Sequence, residues 1–243
     1  MSIEDIELHC HLWYLDKSKN LLDKLATKFS DRINLSLIKG SKDNDKILKH
    51  AESKFKDVRY VTVENYGTDQ NGFISSYETN CEDKDWILYT HDKKDEAWTM
   101  DLVNPLVTDE AIECASDNTV GMITSKKREE KIKSEEGLKK ISAMTPPSMK
   151  IQIVRSKKTM LWLRELQHIL FTTHGMVSEE NLDFTFSSGT MFMARSLVIN
   201  MTHSCIYKDF FELGYRADGE VEHALERFYF YVNKCLNMEH RSI

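Results

Sequence analysis

The sequence predicts an α/β fold with a mostly parallel central sheet flanked by helices, and three observations carry that expectation. Strand-like and helix-like segments alternate through the first half in a βαβαβ order, the pattern that right-handed crossovers of a parallel sheet produce. A chain of 243 residues, 41% hydrophobic and 30% charged, buries one sizeable core and would be cramped as two. Nine glycines and three prolines fit a helix-rich folded chain rather than a disordered one.

Each element follows from local pattern. Ile6 to Tyr14 reads as a first strand, and Ser18 to Phe29 as a helix with Leu21, Leu22 and Leu25 on one face. Ile33 to Ile38 is a second strand, Lys42 to Phe55 a polar helix with Ile47, Leu48 and Ala51 inward, and Val58 to Val63 a third strand. Glu64 to Phe73 is rich in Gly and Asn and reads as a loop, placed at the strand ends where open α/β sheets bind ligands. Trp86 to Thr90 is a short apolar strand that stops at the polar run His91-Asp92-Lys93-Lys94-Asp95. Val120 to Thr124 is a further strand, and Ser125 to Lys140, crowded with Lys and Glu, is a charged surface segment. Pro146-Pro147 breaks any preceding helix. A long amphipathic helix follows within Ser156 to Thr173, carrying Leu161, Leu163, Leu166 and Leu170. Phe184 to Ala194 reads as strand, glycine turn and strand. The last helix is expected from an Asp218 cap to about Leu236, with Val221, Leu225, Phe228, Val232 and Leu236 on the core face and His223 and Arg227 on the opposite side.

Composition excludes several functions. A net charge of -6 argues against a protein that grips nucleic-acid backbone, because that affinity comes from Lys and Arg displacing counterions. Five scattered cysteines without a CxxC spacing suggest neither a disulfide framework nor a zinc knuckle, and fit a reducing compartment. No transmembrane segment is expected, since no apolar run approaches 18 residues, and the acidic start Met1-Ser2-Ile3-Glu4-Asp5 is unlike a secretory signal. The expected location is cytoplasmic.

Three groups of residues could carry chemistry. His9 and His11 form an HxH pair on one strand face; such pairs open the zinc sites of some hydrolases, but with no second HxH or HxxxH pair in the chain core or edge histidines are the favoured reading. Asp69 in one loop and His91, Asp92, Lys93 and Lys94 in the next supply an acid for a base or ribose, a metal-competent carboxylate and cations for a diphosphate. Asp218 at a helix start has the place of a general base if a substrate hydroxyl comes within reach. There is no P-loop and no GxGxxG, so side chains and loop amides would have to hold a nucleotide.

Five motifs in order resemble the rhamnan synthesis protein F family of glycosyltransferase-like proteins, over nearly the whole chain. They are the His- and aromatic-rich first strand His9-Cys10-His11-Leu12-Trp13-Tyr14; the loop Glu64, Asn65, Gly67 and Asp69, followed by Gly72-Phe73; His91, Lys93 and Lys94 with the downstream Trp98; Gly189 to Arg195; and Asp218 to Arg227. The resemblance implies a GT-A-like single domain over residues 1–243, with a Rossmann-like donor nucleotide-binding half at 1–124, the charged segment at 125–150 and an acceptor half with the C-terminal helix at 151–243. It implies transfer of a hexose, rhamnosyltransferase-like, from a nucleotide diphosphate sugar donor to the hydroxyl of a glycan acceptor, with Asp218 as base. The donor-binding residues it implies are Glu64, Asn65, Asp69, His91, Lys93, Gly189, Thr190, Arg195, His223, Glu226 and Arg227. Two positions depart from the family pattern: Thr68 and Thr99 stand where arginines are expected. Asp92, where the family more often has Thr, would be a ligand for Mn or Mg. A catalytically silent nucleotide-sugar-binding module and a metal hydrolase built on His9 and His11 are the competing readings.

Overall fold

A computed structural model describes residues 1–65, 68–131, 150–176, 184–206 and 221–243. The expected cap Asp218, Gly67 and the Pro146-Pro147 break lie outside the described residues. The first strand β1 (Ile6–Leu12) leads through α1 (Leu15–Ala26) to β2 (Arg32–Ile38), and through α2 (Asn44–Glu52) to β3 (Asp57–Val63). Helix α3 (Thr68–Asn80) then returns to β4 (Trp86–His91), and α4 (Glu96–Leu106) and α5 (Asp109–Ala115) precede β5 (Val120–Thr124). A short ribbon pairs β6 (Glu129–Lys131) with β7 (Thr185–Ser187), on either side of the long helix α6 (Lys150–His174). The chain continues through β8 (Phe192–Arg195), α7 (Ser196–His203), α8 (Val221–Cys235) and β9 (Glu239–Ser242).

Seven strands form the central sheet in the order β3-β2-β1-β4-β8-β5-β9. All pair in parallel except β8, which runs antiparallel between β4 and β5. The order reverses between β1 and β4, because β2 and β3 lie on one side of β1 and β4 on the other.

Both sheet faces are covered, as a largely parallel sheet requires. Leu8, Cys10, Leu12, Leu88, Ile123 and Met193 pack with residues of α1, α2, α4 and α5. Ile87, Tyr89, Met122, Phe192 and Ala194 pack on the opposite side with residues of α3, α6, α7 and α8. Adjacent residues of β4, β5 and β8 thus divide between two cores, which explains their continuous apolar runs.

On the α3 side, β1 and β2 present polar residues instead. Glu7, His9, His11, Asn34 and Ser36 are all buried, and each is bonded within this seam. His11 Nδ1 meets Ser36 Oγ at 2.9 Å, His9 Nδ1 meets Ser76 Oγ at 2.9 Å, and Glu7 accepts from Asn34 at 2.8 Å and from the Glu82 amide at 2.9 Å. Helix α3 descends over β1 with Gly72 against His11 and Ser76 against His9. The spacing works because four helical residues rise about 6 Å and two strand residues about 6.6 Å.

This packing corrects the expected loop over 64–73: only its first part precedes the helix, which begins at Thr68. The helix has only a short apolar patch, Phe73, Ile74 and Tyr77, because the positions over β1 must be small or polar, and Gly72 is there for clearance rather than for a turn. A second correction concerns α8. Val221, Leu225, Phe228 and Val232 are buried as expected, but so are Ala224, Glu226, Tyr229, Phe230, Tyr231 and Asn233, since α3, α6, α7 and the sheet enclose the helix. In α6, Leu163, Leu166 and Leu170 face the core while Leu161 points outward at 62% exposure.

A Cβ on Gly72 would stand 2.2 Å from His11 Nδ1, so the two side chains cannot both keep their places. Gly72→Ala is expected to lower stability by about 2 kcal/mol and the melting temperature by about 5 °C, measured by circular dichroism melts. An unchanged melting temperature would show that the seam tolerates the extra volume.

Candidate functional site

A cleft of about 470 Å³ opens at the C-terminal ends of β1 and β4, where the strand order reverses and open α/β sheets leave a crevice. Trp13 and Tyr14, which follow β1, form one wall, and Asp92, Lys93 and Lys94, which follow β4, form the other. His11 and His91 make the floor, while Asn65 and Asp69 close the α3 side. A wider groove of about 710 Å³ adjoins it, shares Trp13, Tyr14 and Lys94, and runs on to Lys39, Gly40, Ser41 and Lys42 after β2.

The carboxylate of Asp92 ties the two walls together. It accepts hydrogen bonds from the amides of Trp13 (2.9 and 3.1 Å) and Tyr14 (2.7 Å) and from Ser18 Oγ (2.6 Å). These donors are the start of α1, so Asp92 supplies from another strand the anion that a helix N-terminus favours. Burial still pushes its carboxyl up to about 6, against the lowering effect of those bonds. With Oδ2 taken by three donors, the expected Mn or Mg ligand is committed to holding the α1 start. Among the described residues no group of three or more His, Cys, Asp or Glu is placed to hold a metal, so the described residues do not fit a divalent cation at Asp92.

His91 is the junction of the floor. Its Nε2 donates to the Gly189 carbonyl at 2.7 Å and lies 3.6 Å from Asp69 Oδ2. Burial and the nearby Lys93 push its imidazole down to about 4, and burial does the same to His11. Gly189 and Thr190 form the turn before β8, and Glu226 of α8 accepts from the Gly189 amide. Glu226 also accepts from Thr190 Oγ1 at 3.4 Å and from Arg227 Nη1 at 3.0 Å, while the Arg227 guanidinium lies over Phe186, 4.3 Å from its centroid. Thr99, at a position where the family pattern expects Arg, is buried and accepts from the Lys93 amide at 3.1 Å. That position looks into the fold and supports the Lys93 loop.

Several expected residues lie elsewhere. Arg195 sits opposite Trp86, at the other end of β4 from His91, roughly 16 Å away at strand rise. Its guanidinium bonds the Val120 and Asp117 carbonyls and stacks over Trp86, so it secures the end of the sheet opposite the cleft. Glu64 pairs with Lys39 at 2.6 Å and does not line the cleft. His223 is half-buried within α8, and its carbonyl accepts from Arg227 Nη1 at 2.5 Å. Asp218, the expected base, lies outside the described residues.

The hydrolase reading of His9 and His11 does not survive their surroundings. Both nitrogens of His9 are engaged, by Ser76 and by Glu7 at 3.2 Å, and the Glu7, His9, Ser76 series is closed from solvent. Conversely, the sequence reading omitted Trp13 and Tyr14 as cleft walls. The available signal was two aromatics after an alternating strand, a place where the chain leaves the sheet.

The chain matches the protein family described as rhamnan synthesis protein F over residues 1–238 of 243. No curated protein matches it. No helix among the described residues is long and apolar enough to cross a membrane.

The buried imidazoles set an acid limit. His11 and His91 resist protonation until about pH 4 when folded, whereas unfolded histidines take up protons near 6.5. Their contribution is complete above about pH 6.5 and declines as pH falls toward 4. Asp92 works the other way, favouring the folded state as pH drops from about 6 toward 4, but two histidines outweigh one carboxyl. The melting temperature should therefore fall between pH 7 and pH 5, and His11→Asn should flatten that slope. A slope unchanged by the substitution would remove His11 from the account.

Proposed function

The chain belongs to the rhamnan synthesis protein F family, and from that premise we propose that it transfers a sugar from a nucleotide diphosphate donor to a glycan hydroxyl. A role in polysaccharide synthesis comes with the family; donor, acceptor and catalytic residues are our reading. The observation that carries it is the cleft at the strand-order reversal, with Lys93 and Lys94 at its wall. We read the single antiparallel strand in an otherwise parallel sheet as a GT-A-like arrangement.

In this reading the diphosphate lies beside Lys93 and Lys94, and the adjoining groove past Trp13 and Tyr14 takes the nucleoside. Both lysines line the cleft, and no ion pair of either occurs among the described residues. Asp69 stands at the α3 end of the cleft, within reach of ribose or sugar hydroxyls. Asp218 removes the proton from the acceptor hydroxyl as its oxygen bonds to the anomeric carbon. The bond from that carbon to the diphosphate oxygen breaks, its electron pair leaves with the diphosphate, and the lysines offset the developing charge. A direct displacement of this kind inverts the anomeric centre.

A panel of nucleotide sugars in thermal-shift measurements, followed by donor hydrolysis and transfer assays, tests the proposal. At least one donor should stabilise the protein, Lys93→Ala should weaken that donor about tenfold, close to 1.4 kcal/mol, and Asp218→Asn should lower turnover by two or more orders of magnitude with little change in donor binding. Binding without turnover by the native chain would instead favour the silent module. Transfer undiminished in folded Asp218→Asn would remove that residue as the base.

A further inference from the structure

The turn into β8 contains two successive residues with positive φ, Gly189 at 110° and Thr190 at 50°. The left-handed region costs a β-branched residue such as Thr on the order of 1–3 kcal/mol, and it persists only where neighbours hold it. Here the neighbours are specific. His91 Nε2 donates to the Gly189 carbonyl at 2.7 Å, the Gly189 amide donates to Glu226 Oε1, and Thr190 Oγ1 donates to the same oxygen at 3.4 Å. The turn is gripped from β4 on one side and from α8 on the other.

The grip reaches the cleft through Lys93. A Cβ on Gly189 would stand 2.6 Å from Leu102 Cδ1, 3.1 Å from Trp98 Nε1 and 3.3 Å from Lys93 Cε. The Lys93 stem therefore lies along bare turn backbone, with Nζ 5.4 Å from the Trp98 ring centroid. Moving the turn outward would crowd the stem, and letting it relax would leave the stem unsupported. Both carboxylate oxygens of Glu226 are engaged inside the fold, Oε1 by the turn and Oε2 by Arg227, and the residue is buried and absent from the cleft lining.

We infer that Glu226 is a positioning residue, which fixes Lys93 for an anionic ligand by holding the Gly189-Thr190 turn and does not itself touch that ligand. The inference rests on reading the cleft as a diphosphate site. It resolves an apparent conflict, because a carboxylate in contact with a diphosphate would oppose binding, whereas one acting through the turn promotes it.

Calorimetric titration of the full chain with inorganic pyrophosphate tests this, well below the melting transition of every variant. Glu226→Gln keeps an oxygen for the Gly189 amide and should bind within about twofold of the native chain. Glu226→Ala and Lys93→Ala should each weaken binding about tenfold, and adding Glu226→Ala to Lys93→Ala should change affinity less than about twofold, the non-additivity of residues acting through one contact. If Glu226→Ala does not give a cooperative melt, Glu226→Asp, one methylene shorter, replaces it. Additive losses overturn the inference, as does Glu226→Gln binding tighter than native or as weakly as Glu226→Ala. Failure of the native chain to bind pyrophosphate overturns it as well. The expected pattern with pyrophosphate, without stabilisation by any nucleotide sugar, would leave Glu226 in this role and remove the donor reading instead.

Discussion

The polar seam between β1, β2 and α3 is the constraint on which the remaining geometry depends. Burying Glu7, His9, His11, Asn34 and Ser36 in place of aliphatic residues is tolerable only while hydrogen bonds replace those lost to water. Ser76 and the Glu82 amide supply part of that replacement from α3 and its exit, so the helix has one acceptable height over the sheet. Sliding it by a turn would take Ser76 from His9 and drive side chains other than hydrogen into His11. That height sets Asp69 beside His91 and makes the Asp69 carbonyl the acceptor for the Tyr89 hydroxyl at 2.8 Å. The aromatic packing of Phe73 on Tyr89, with centroids 4.0 Å apart, adds apolar area to the same registration.

From this seam the cleft follows by topology. The reversal of strand order separates the chain leaving β1 from the chain leaving β4, and the crevice between them would widen without a tie. Asp92 provides it by bonding the start of α1 across the gap. One carboxylate thus ties the two walls of the crevice and anchors the segment that carries Trp13 and Tyr14. The Gly189 turn then seals the β8 side through His91, which makes the antiparallel strand part of the site although it is remote in sequence.

The sequence exposed some of these features and hid others for physical reasons. Strands β1, β2, β3, β4 and β5 were legible because buried parallel strands are continuous apolar or alternating runs bounded by polar turns. The strand-turn-strand around Gly189 was legible because its glycine interrupts such a run. Helix α3 was not, since Gly72 and Ser76 complement the polar surface of β1 and leave only the short patch Phe73, Ile74 and Tyr77 for periodicity to reveal. The histidines were legible as core residues, with a metal site as the competing reading, but their pairing with Ser36 and Ser76 depends on contacts 25 and 67 residues away. Arg195 belonged to a motif that includes the site turn, but β8 runs antiparallel and carries it, six residues after Gly189, to the opposite end of β4 beside Trp86. Linear proximity to Gly189 could not convey that direction.

The charge balance of the site illustrates why a global value decides little. The chain carries a net charge of -6, which disfavours anionic partners when averaged over the surface. At the cleft, however, two carboxylates are turned toward the protein: Asp92 toward amides of α1 and, behind the lining, Glu226 toward the Gly189 turn and Arg227, which leaves Asp69 as the acid on the α3 side. The lysines on the same wall as Asp92 have no such internal partner among the described residues, and so the positive charge presented to a ligand is theirs. Hydrogen bonds that hold Asp92 and Glu226 inward thereby leave two lysines on one wall of an acidic protein's crevice and Asp69 on its α3 side, and the same bonds that build the fold determine where each charge meets a ligand.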